Sequence, residues 1–337
     1  MKKLNQKDYF LPEVVSLGYK SIENSKTNQM QTIIGSGGAI GTPLAKELTA
    51  YTTDIRLVSR NPKKVNETDQ LFPADLTDSQ QIAKAIEGSE VVYVTIGFEY
   101  NLKVWQKVWP PFLQSVMDAC ILHGSKLVFF DNVYMYAPEA ITFMTEDSPL
   151  GPSSRKGKVR LELHEMIMKA VAEGKLTAVI ARAADFYGPD NRNSAMGSMI
   201  AERFLQGKKA QNMGKADAIH TFTFTPDAAK ATALLGNTAD TWNQVWHVPT
   251  TRERLTFDQW IRLVAAETGA KPEYQQVPVW MLKILGIFIP MLRELPEMMY
   301  QFDRDYVFDS SKFEKRFGIT ATRPAEGVRR MISSMKK

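Results

Sequence analysis

The run Ile33-Ile34-Gly35-Ser36-Gly37-Gly38-Ala39-Ile40-Gly41-Thr42-Pro43 carries the clearest chemistry in this sequence: an apolar strand end turns through glycines into a helix. Glycine at such a turn takes dihedrals closed to other residues and lets a phosphate reach the helix N-terminus, where backbone N–H groups and the helix dipole favour negative charge. Gly35, Gly38, Ile40 and Gly41 are therefore the expected cradle of a dinucleotide pyrophosphate. About 20 residues on, an acid usually holds the ribose 2′-hydroxyl of NAD. Here the chain reads Leu57-Val58-Ser59-Arg60-Asn61-Pro62-Lys63-Lys64. Ser59 and Arg60 can accept a 2′-phosphate instead, with Lys63 and Lys64 nearby, so NADP is expected over NAD.

Other chemistries are excluded by what the 337 residues lack. A single cysteine, Cys120, rules out an internal disulfide and any paired-cysteine metal knuckle. The four histidines, His123, His164, His220 and His247, stand far apart and none has metal-ligand spacing, so no metal site is expected. The balance of 42 basic and 37 acidic residues gives +5, too mild and too dispersed to predict nucleic acid.

The elements that must position the glycine turn follow from periodicity. Short β-branched runs at 32–34, 54–58, 71–74, 91–96, 126–130 and 176–181 alternate with amphipathic stretches at 43–50, 78–87, 104–122 and 156–173. This is the pattern of βαβ units and a parallel sheet. Asp78 or Ser79 caps the second helix and Gly88 closes it. After about residue 188 the alternation loosens, and Pro189–Gly197 reads as a loop into a smaller lobe. Residues 1–29 carry lysines among polar residues but no apolar run, and are expected as a loosely ordered extension, with Met30 a second candidate start. The apolar stretch 279–292 holds Lys283 and Pro290 and is shorter than the ~20 residues that span a bilayer. It is expected as a buried helix or pocket wall, and no membrane partner is expected.

From Met30 onward the chain resembles the extended and atypical short-chain dehydrogenase/reductases, the NAD(P)-dependent epimerase/dehydratase family. Gly35-x-x-Gly38-x-x-Gly41 matches the family's GxxGxxG. Asp75-Leu76 looks like the pair that contacts adenine, and Thr95-Ile96-Gly97 falls where the family lines the cofactor after its fourth strand. Thr145-Glu146-Asp147-Ser148-Pro149-Leu150-Gly151-Pro152 is similar to the approach to the active helix. Arg182 to Pro189, with Phe186-Tyr187-Gly188-Pro189, resembles the family's RxxNxYGP. Thr225-Pro226-Asp227-Ala228-Ala229-Lys230-Ala231 resembles the return to the cofactor domain. The resemblance implies an α/β fold: a Rossmann-like doubly wound parallel sheet with a smaller C-terminal substrate-binding lobe. The cofactor domain then comprises 30–188 with 216–249 returning to it, and the lobe comprises 189–215 and 250–337.

The catalytic positions depart from the family. A Ser or Thr after the fifth strand and a YxxxK helix carry its chemistry: the Tyr relays a proton, and the Lys lowers that Tyr's pKa and holds the nicotinamide ribose. In this chain Asn132 takes the Ser position, Lys156 the Tyr position and Arg160 the Lys position. Asn132 can still donate a hydrogen bond to a carbonyl. Tyr134, two residues on, points to the same side of an extended chain, at a slot where the family's sugar dehydratases carry a Glu acid/base. Lys156, buried beside another cation, can have a lowered pKa and move protons. Arg160 can keep a ribose or phosphate contact but cannot shuttle protons. Asp185 and Tyr187 are expected to line the same cleft.

Together these readings predict a cytoplasmic NAD(P)-dependent oxidoreductase, epimerase or dehydratase. It acts on a hydroxyl or carbonyl of a small molecule, anionic or sugar-like, using Asn132, Tyr134 and Lys156. The alternative is a catalytically degenerate NADP(H)-binding sensor or regulator. A homodimer is implied by the resemblance alone.

Overall fold

Strand β1, Met30–Ile34, is almost wholly buried and forms the axis of the molecule. The computed structural model describes residues 29–336, so nearly all of the expected N-terminal extension lies outside it. From β1 the chain runs through α1 (Gly41–Leu48), β2 (Ile55–Ser59), β3 (Gln70–Pro73), α2 (Ser79–Ile86), β4 (Ser89–Val94), α3 (Leu102–His123), β5 (Lys126–Asp131), α4 (Arg155–Ala172) and β6 (Ala178–Arg182). It continues through β7 (Asp185–Tyr187), α5 (Glu202–Leu205), β8 (Ala210–Asn212), β9 (Phe222–Phe224), α6 (Thr225–Gly236) and β10 (Gln244–His247). The last elements are α7 (Phe257–Thr268), β11 (Tyr274–Gln276), α8 (Val279–Phe288), α9 (Pro290–Arg293), α10 (Ser311–Phe317) and α11 (Pro324–Met335).

Seven strands form one parallel sheet in the order β10-β6-β5-β4-β1-β2-β3. Their near-continuous apolar sequences follow from helices covering both faces. Leu113 of α3, Leu163 of α4 and Ile82 of α2 pack on one face, and Leu44 of α1, Ala228 and Leu235 of α6 on the other. The fold is the expected α/β, doubly wound sheet. Asp78 caps α2 by accepting from the amides of Gln80 at 2.9 Å and Gln81 at 3.3 Å. Asn101 does the same for α3 with Lys103 and Val104.

The chain leaves the sheet after β6 and returns to it as β10, in parallel register with β6. Two small parallel pairs, β7 with β9 and β8 with β11, stand apart from the large sheet. Trp260, Val264, Phe222, Val328 and Met331, together with Tyr187, build a core of their own beside these pairs. Tyr187 therefore does not line a cleft; its ring is held by Phe224 and Trp260. The stretch 279–292 also departs from expectation. Leu282 of α8 is buried, but Trp280, Ile284, Ile287 and Phe288 face solvent.

Candidate functional site

β1 leads to β2 and β3 on one side of the sheet and is flanked by β4 on the other, so the strand order reverses between β1 and β4. The crevice outside the carboxyl ends of strands at such a reversal is where open α/β sheets bind ligands. The glycine turn sits there. Gly35 has φ +94°, and a Cβ on it would lie 2.6 Å from the Ile96 Cα. A Cβ on Gly41 would overlap the Gly35 carbonyl oxygen. These two glycines are thus required by the chain's own packing. Gly37 and Gly38 are different: a Cβ on Gly37 would meet nothing within 4 Å, and one on Gly38 would make ordinary contact at 3.4 Å. The space they leave open is a cradle that a side chain would fill, and it adjoins the start of α1, whose first turn holds no acidic residue.

Thr95 closes the floor of the crevice, its hydroxyl 3.3 Å from the carbonyl oxygens of both Ile34 and Gly35. Gly97 is exposed, with no atom within 4 Å of a Cβ placed on it. Ser59 ends β2, and its carbonyl oxygen accepts from the Ala74 amide at 3.0 Å, tying the second and third strand ends together. Arg60 follows it, exposed. Leu76 is buried, whereas the exposed Asp75 accepts from the Thr77 amide and hydroxyl. Those two hydrogen bonds lower its carboxyl below the ordinary range, and the Arg60 charge adds to the effect. The structure thus brings the predicted cofactor residues to one rim, with the exception of Arg160.

Arg160 is buried and committed elsewhere. Its Nε donates to Asp131 Oδ1 at 2.7 Å, its Nη2 binds the same oxygen, and the guanidinium lies 4.5 Å from the centre of the Trp109 ring. The ribose or phosphate contact expected of it is replaced by an ion pair with the end of β5. Lys156 is also fully buried. Its ammonium lies 2.6 Å from Glu294 Oε2, 2.7 Å from Glu297 Oε1 and 3.0 Å from the Glu294 carbonyl oxygen, and 4.8 Å from the centre of the Tyr100 ring. No Arg160 contact is needed to explain its burial; two carboxylates from the segment after α9 neutralise it. Glu294 also accepts from the Leu102 amide at the start of α3, and Glu297 from the backbone and guanidinium of Arg155. Segment 294–297 is in this way drawn across the starts of α3 and α4.

Asn132 follows β5, and its Oδ1 accepts from the Tyr134 amide at 3.0 Å, which leaves the side-chain amide as donor. The Tyr134 ring stacks on Trp105, and Tyr100 is close enough to influence its hydroxyl. Burial raises the Tyr134 hydroxyl well above its ordinary value, and the neighbouring Tyr100 and Asp185 add to the shift. Tyr100 and Tyr306 are raised for the same leading reason, again with Asp185 contributing. Asp185 thus stands within electrostatic reach of three tyrosines. Its Oδ2 accepts from Nε2 of His220 at 2.9 Å, and the imidazole is stacked between Tyr306 at 4.4 Å and Phe302 at 5.0 Å. His220, Tyr100, Glu294 and Glu297 carry no motif or spacing that marks them in the sequence. Asp185 alone is marked, standing at the Asn position of the Arg182–Pro189 segment.

Comparison with known proteins agrees with this geometry. The family model described as "NAD dependent epimerase/dehydratase family" matches residues 32–248. A 3beta-hydroxysteroid-dehydrogenase/decarboxylase, isoform 2, from Arabidopsis thaliana is 24% identical over 300 residues, covering 79% of this chain. The chain spans about half, 52%, of that relative's length. The Thermus thermophilus UDP-glucose 4-epimerase in complex with NAD superimposes with a TM-score of 0.73 at 19% identity, covering 91% of this chain and 99% of that one. DesIV, a dTDP-glucose 4,6-dehydratase from Streptomyces venezuelae with NAD bound, gives 0.74 at 15% identity over 91% and 97%. Sequence, sheet order and glycine turn converge: the chain belongs to the NAD dependent epimerase/dehydratase family.

Proposed function

We propose that the β1–β4 crevice binds a nicotinamide dinucleotide, NADP in preference to NAD, and that the chain uses it to oxidise or reduce a hydroxyl or carbonyl on a small molecule. The observation that carries this reading is the open space over Gly37 and Gly38 beside two glycines that packing requires. Gly35, Gly38, Ile40, Gly41, Thr95 and Gly97 would hold the dinucleotide, Asp75 and Leu76 its adenine, and Ser59 and Arg60 a 2′-phosphate. In this reading 30–188 with 216–249 form the cofactor domain, and 189–215 with 250–337 form the substrate lobe.

When bound, the nicotinamide ring supplies or takes up a hydride. The chain's own residues handle the oxygen. Asn132 and the protonated Tyr134 donate hydrogen bonds to the substrate oxygen, and Asp185, held by His220, accepts its proton during oxidation and returns it during reduction. Lys156, with all three donors engaged, is a positioning residue that holds segment 294–297 over the site, and Arg160 positions the end of β5 through Asp131. The half-buried Tyr100 and Tyr134 favour a substrate with an apolar body, such as the ring system named for the Arabidopsis relative, over a nucleotide sugar.

The test is cofactor-linked turnover on a panel holding 3β-hydroxysteroids and UDP-glucose, with Tyr134→Phe as the variant. Turnover with a hydroxysteroid, reduced about 10²-fold or more by the substitution, supports the reading. A second reading, a nucleotide-binding sensor without catalysis, is favoured by the engagement of both Lys156 and Arg160 with carboxylates. Tight cofactor binding without turnover on any substrate selects it.

A further inference from the structure

Segment 294–301 lies against the starts of α3 and α4 and is held there through side chains. Its backbone hydrogen bonds stay local: Leu295 donates to Leu292 and Met298 to Leu295, and its second half is the 3-10 helix Pro296–Gln301. Among the described residues, no backbone-to-backbone bond joins it to α3, α4 or the sheet. The chain just beyond is stitched in by contrast. The Phe302 carbonyl accepts from Lys215, and Tyr306 donates to Ile219 and accepts from Thr221.

Lys156 is the node of the attachment. Glu294 Oε2 takes its ammonium at 2.6 Å and the Leu102 amide at 3.0 Å. Glu297 takes the same ammonium at 2.7 Å and the Arg155 amide at 3.1 Å. The first turns of α3 and α4 hold no acid of their own, so these two carboxylates also supply the negative charge that helix N-termini favour. Apolar support is slight: Met299 joins a small cluster with Met213, Val277 and Leu282. Methionine is unbranched and adapts to changed surroundings.

Closure also leaves polar groups unsatisfied. The Tyr300 hydroxyl, the Gln301 side-chain nitrogen and, just after the segment, the Tyr306 hydroxyl are buried without a hydrogen-bond partner. Such groups destabilise the state that buries them, and contact with water relieves them. Few backbone ties, adaptable packing and unpaired buried donors are marks of a unit that opens locally. What lies beneath is the candidate site. The Tyr100 ring sits 4.8 Å from the Lys156 ammonium, and its hydroxyl feels Asp185 as well as Glu297 and Glu294. Tyr300, like Tyr134, packs against the buried cluster that contains Tyr306.

We propose that segment 294–301 is a gate: it lifts from Lys156 while the rest of the chain stays folded, uncovers the cleft beside Asp185, and closes again over what enters. That the entrant is a substrate rests on the function proposed above; the opening itself does not.

Hydrogen exchange of the full chain, followed amide by amide by NMR, tests the gate without turnover, so an inactive protein leaves the test intact. The Leu102 amide reports opening because its acceptor is the Glu294 carboxylate. In wild type it is expected to be protected about tenfold or more less than the amides of β5. Glu297→Gln cuts the latch without touching the Leu102 acceptor, and is expected to lower Leu102 protection about tenfold further, with β5 still the better protected. Leu102 protection equal to that of β5 in wild type overturns the proposal, whether or not the variant folds. Leu102 protection unchanged by Glu297→Gln overturns it as well.

Discussion

Asp185 and His220, 35 residues apart, are hydrogen-bonded at 2.9 Å between Oδ2 and Nε2, with the imidazole clamped between two aromatic rings. The clamp fixes the ring plane, and the ring fixes the carboxylate against the tyrosines of the cleft. If Asp185 takes the substrate proton, Asp185→Asn lowers cofactor-linked turnover by about 10² to 10⁴ and leaves cofactor affinity unchanged. Stopped-flow turnover and a binding titration on the same preparation separate these effects. Equal losses in both would assign Asp185 a purely structural role.

Lys156 bridges α4 to Glu294 and Glu297, and removing a single partner of a buried ion pair costs about 3–5 kcal/mol. Lys156→Met is expected to lower the unfolding free energy, measured by urea titration, by an amount in that range. Burial works to raise the Glu297 carboxyl, but the hydrogen bond and charge of Lys156, with Arg155 beside it, hold it below its ordinary 4.5. Its contribution to stability is therefore complete above pH 4.5 and is lost as pH falls through the lowered folded value. Glu297→Gln should remove that acid-side loss; an unchanged acid limb would mean that the tether is not formed.

A buried and a half-buried histidine, His247 and His164, set a second pH dependence. Burial, with the charge of Arg182 adding to it, pushes His247 down to about 3 and His164 down to about 4 from 6.5. His247 stays neutral, accepting from the Tyr136 hydroxyl at 2.7 Å while its Nδ1 donates to the Asp309 carbonyl. The unfolded chain takes up protons at both positions as pH falls through 6.5, and the folded chain does not until much lower. Stability should therefore decline from neutral pH toward about pH 4, less steeply in His164→Gln. Denaturation midpoints across that interval measure it, and a flat profile would contradict the burial of these rings.

Gly41 and Gly38 have opposite expected sensitivities. Gly41→Ala pushes a Cβ into the Gly35 carbonyl, so the turn must shift and thermal stability should fall. Gly38→Ala leaves the fold intact, since its Cβ meets only ordinary contacts. Melting temperatures of the two variants compare them directly, and equal melting would refute the packing argument.

The alternating strands, the glycine turn and the cap at Asp78 were legible in the sequence because each is a local pattern with a local cause. The strand bounds expected for 32–34 and 126–130 fall within β1 and β5 for that reason. The destinations of Lys156 and Arg160 were not legible. Glu294 and Glu297 lie about 140 residues beyond Lys156 and reach it only through tertiary packing, and Asp131 gives no signal that it will bind Arg160. His220 meets Asp185 only because β7 and β9 pair in register. The outward face of α8 carries no sequence signal, because apolar residues around Lys283 show no periodicity to tell its buried side from its exposed one.

The central claim is nicotinamide binding over Gly37 and Gly38, and it is tested most directly by titrating NADPH and NADH into wild type, Gly38→Val and Arg60→Ala, following nucleotide fluorescence. The account predicts saturable binding with NADPH the tighter, a loss of about tenfold or more for both nucleotides in Gly38→Val as its side chain fills the cradle, and a loss confined to NADPH in Arg60→Ala. Absence of saturable binding, or affinities untouched by Gly38→Val, would contradict it.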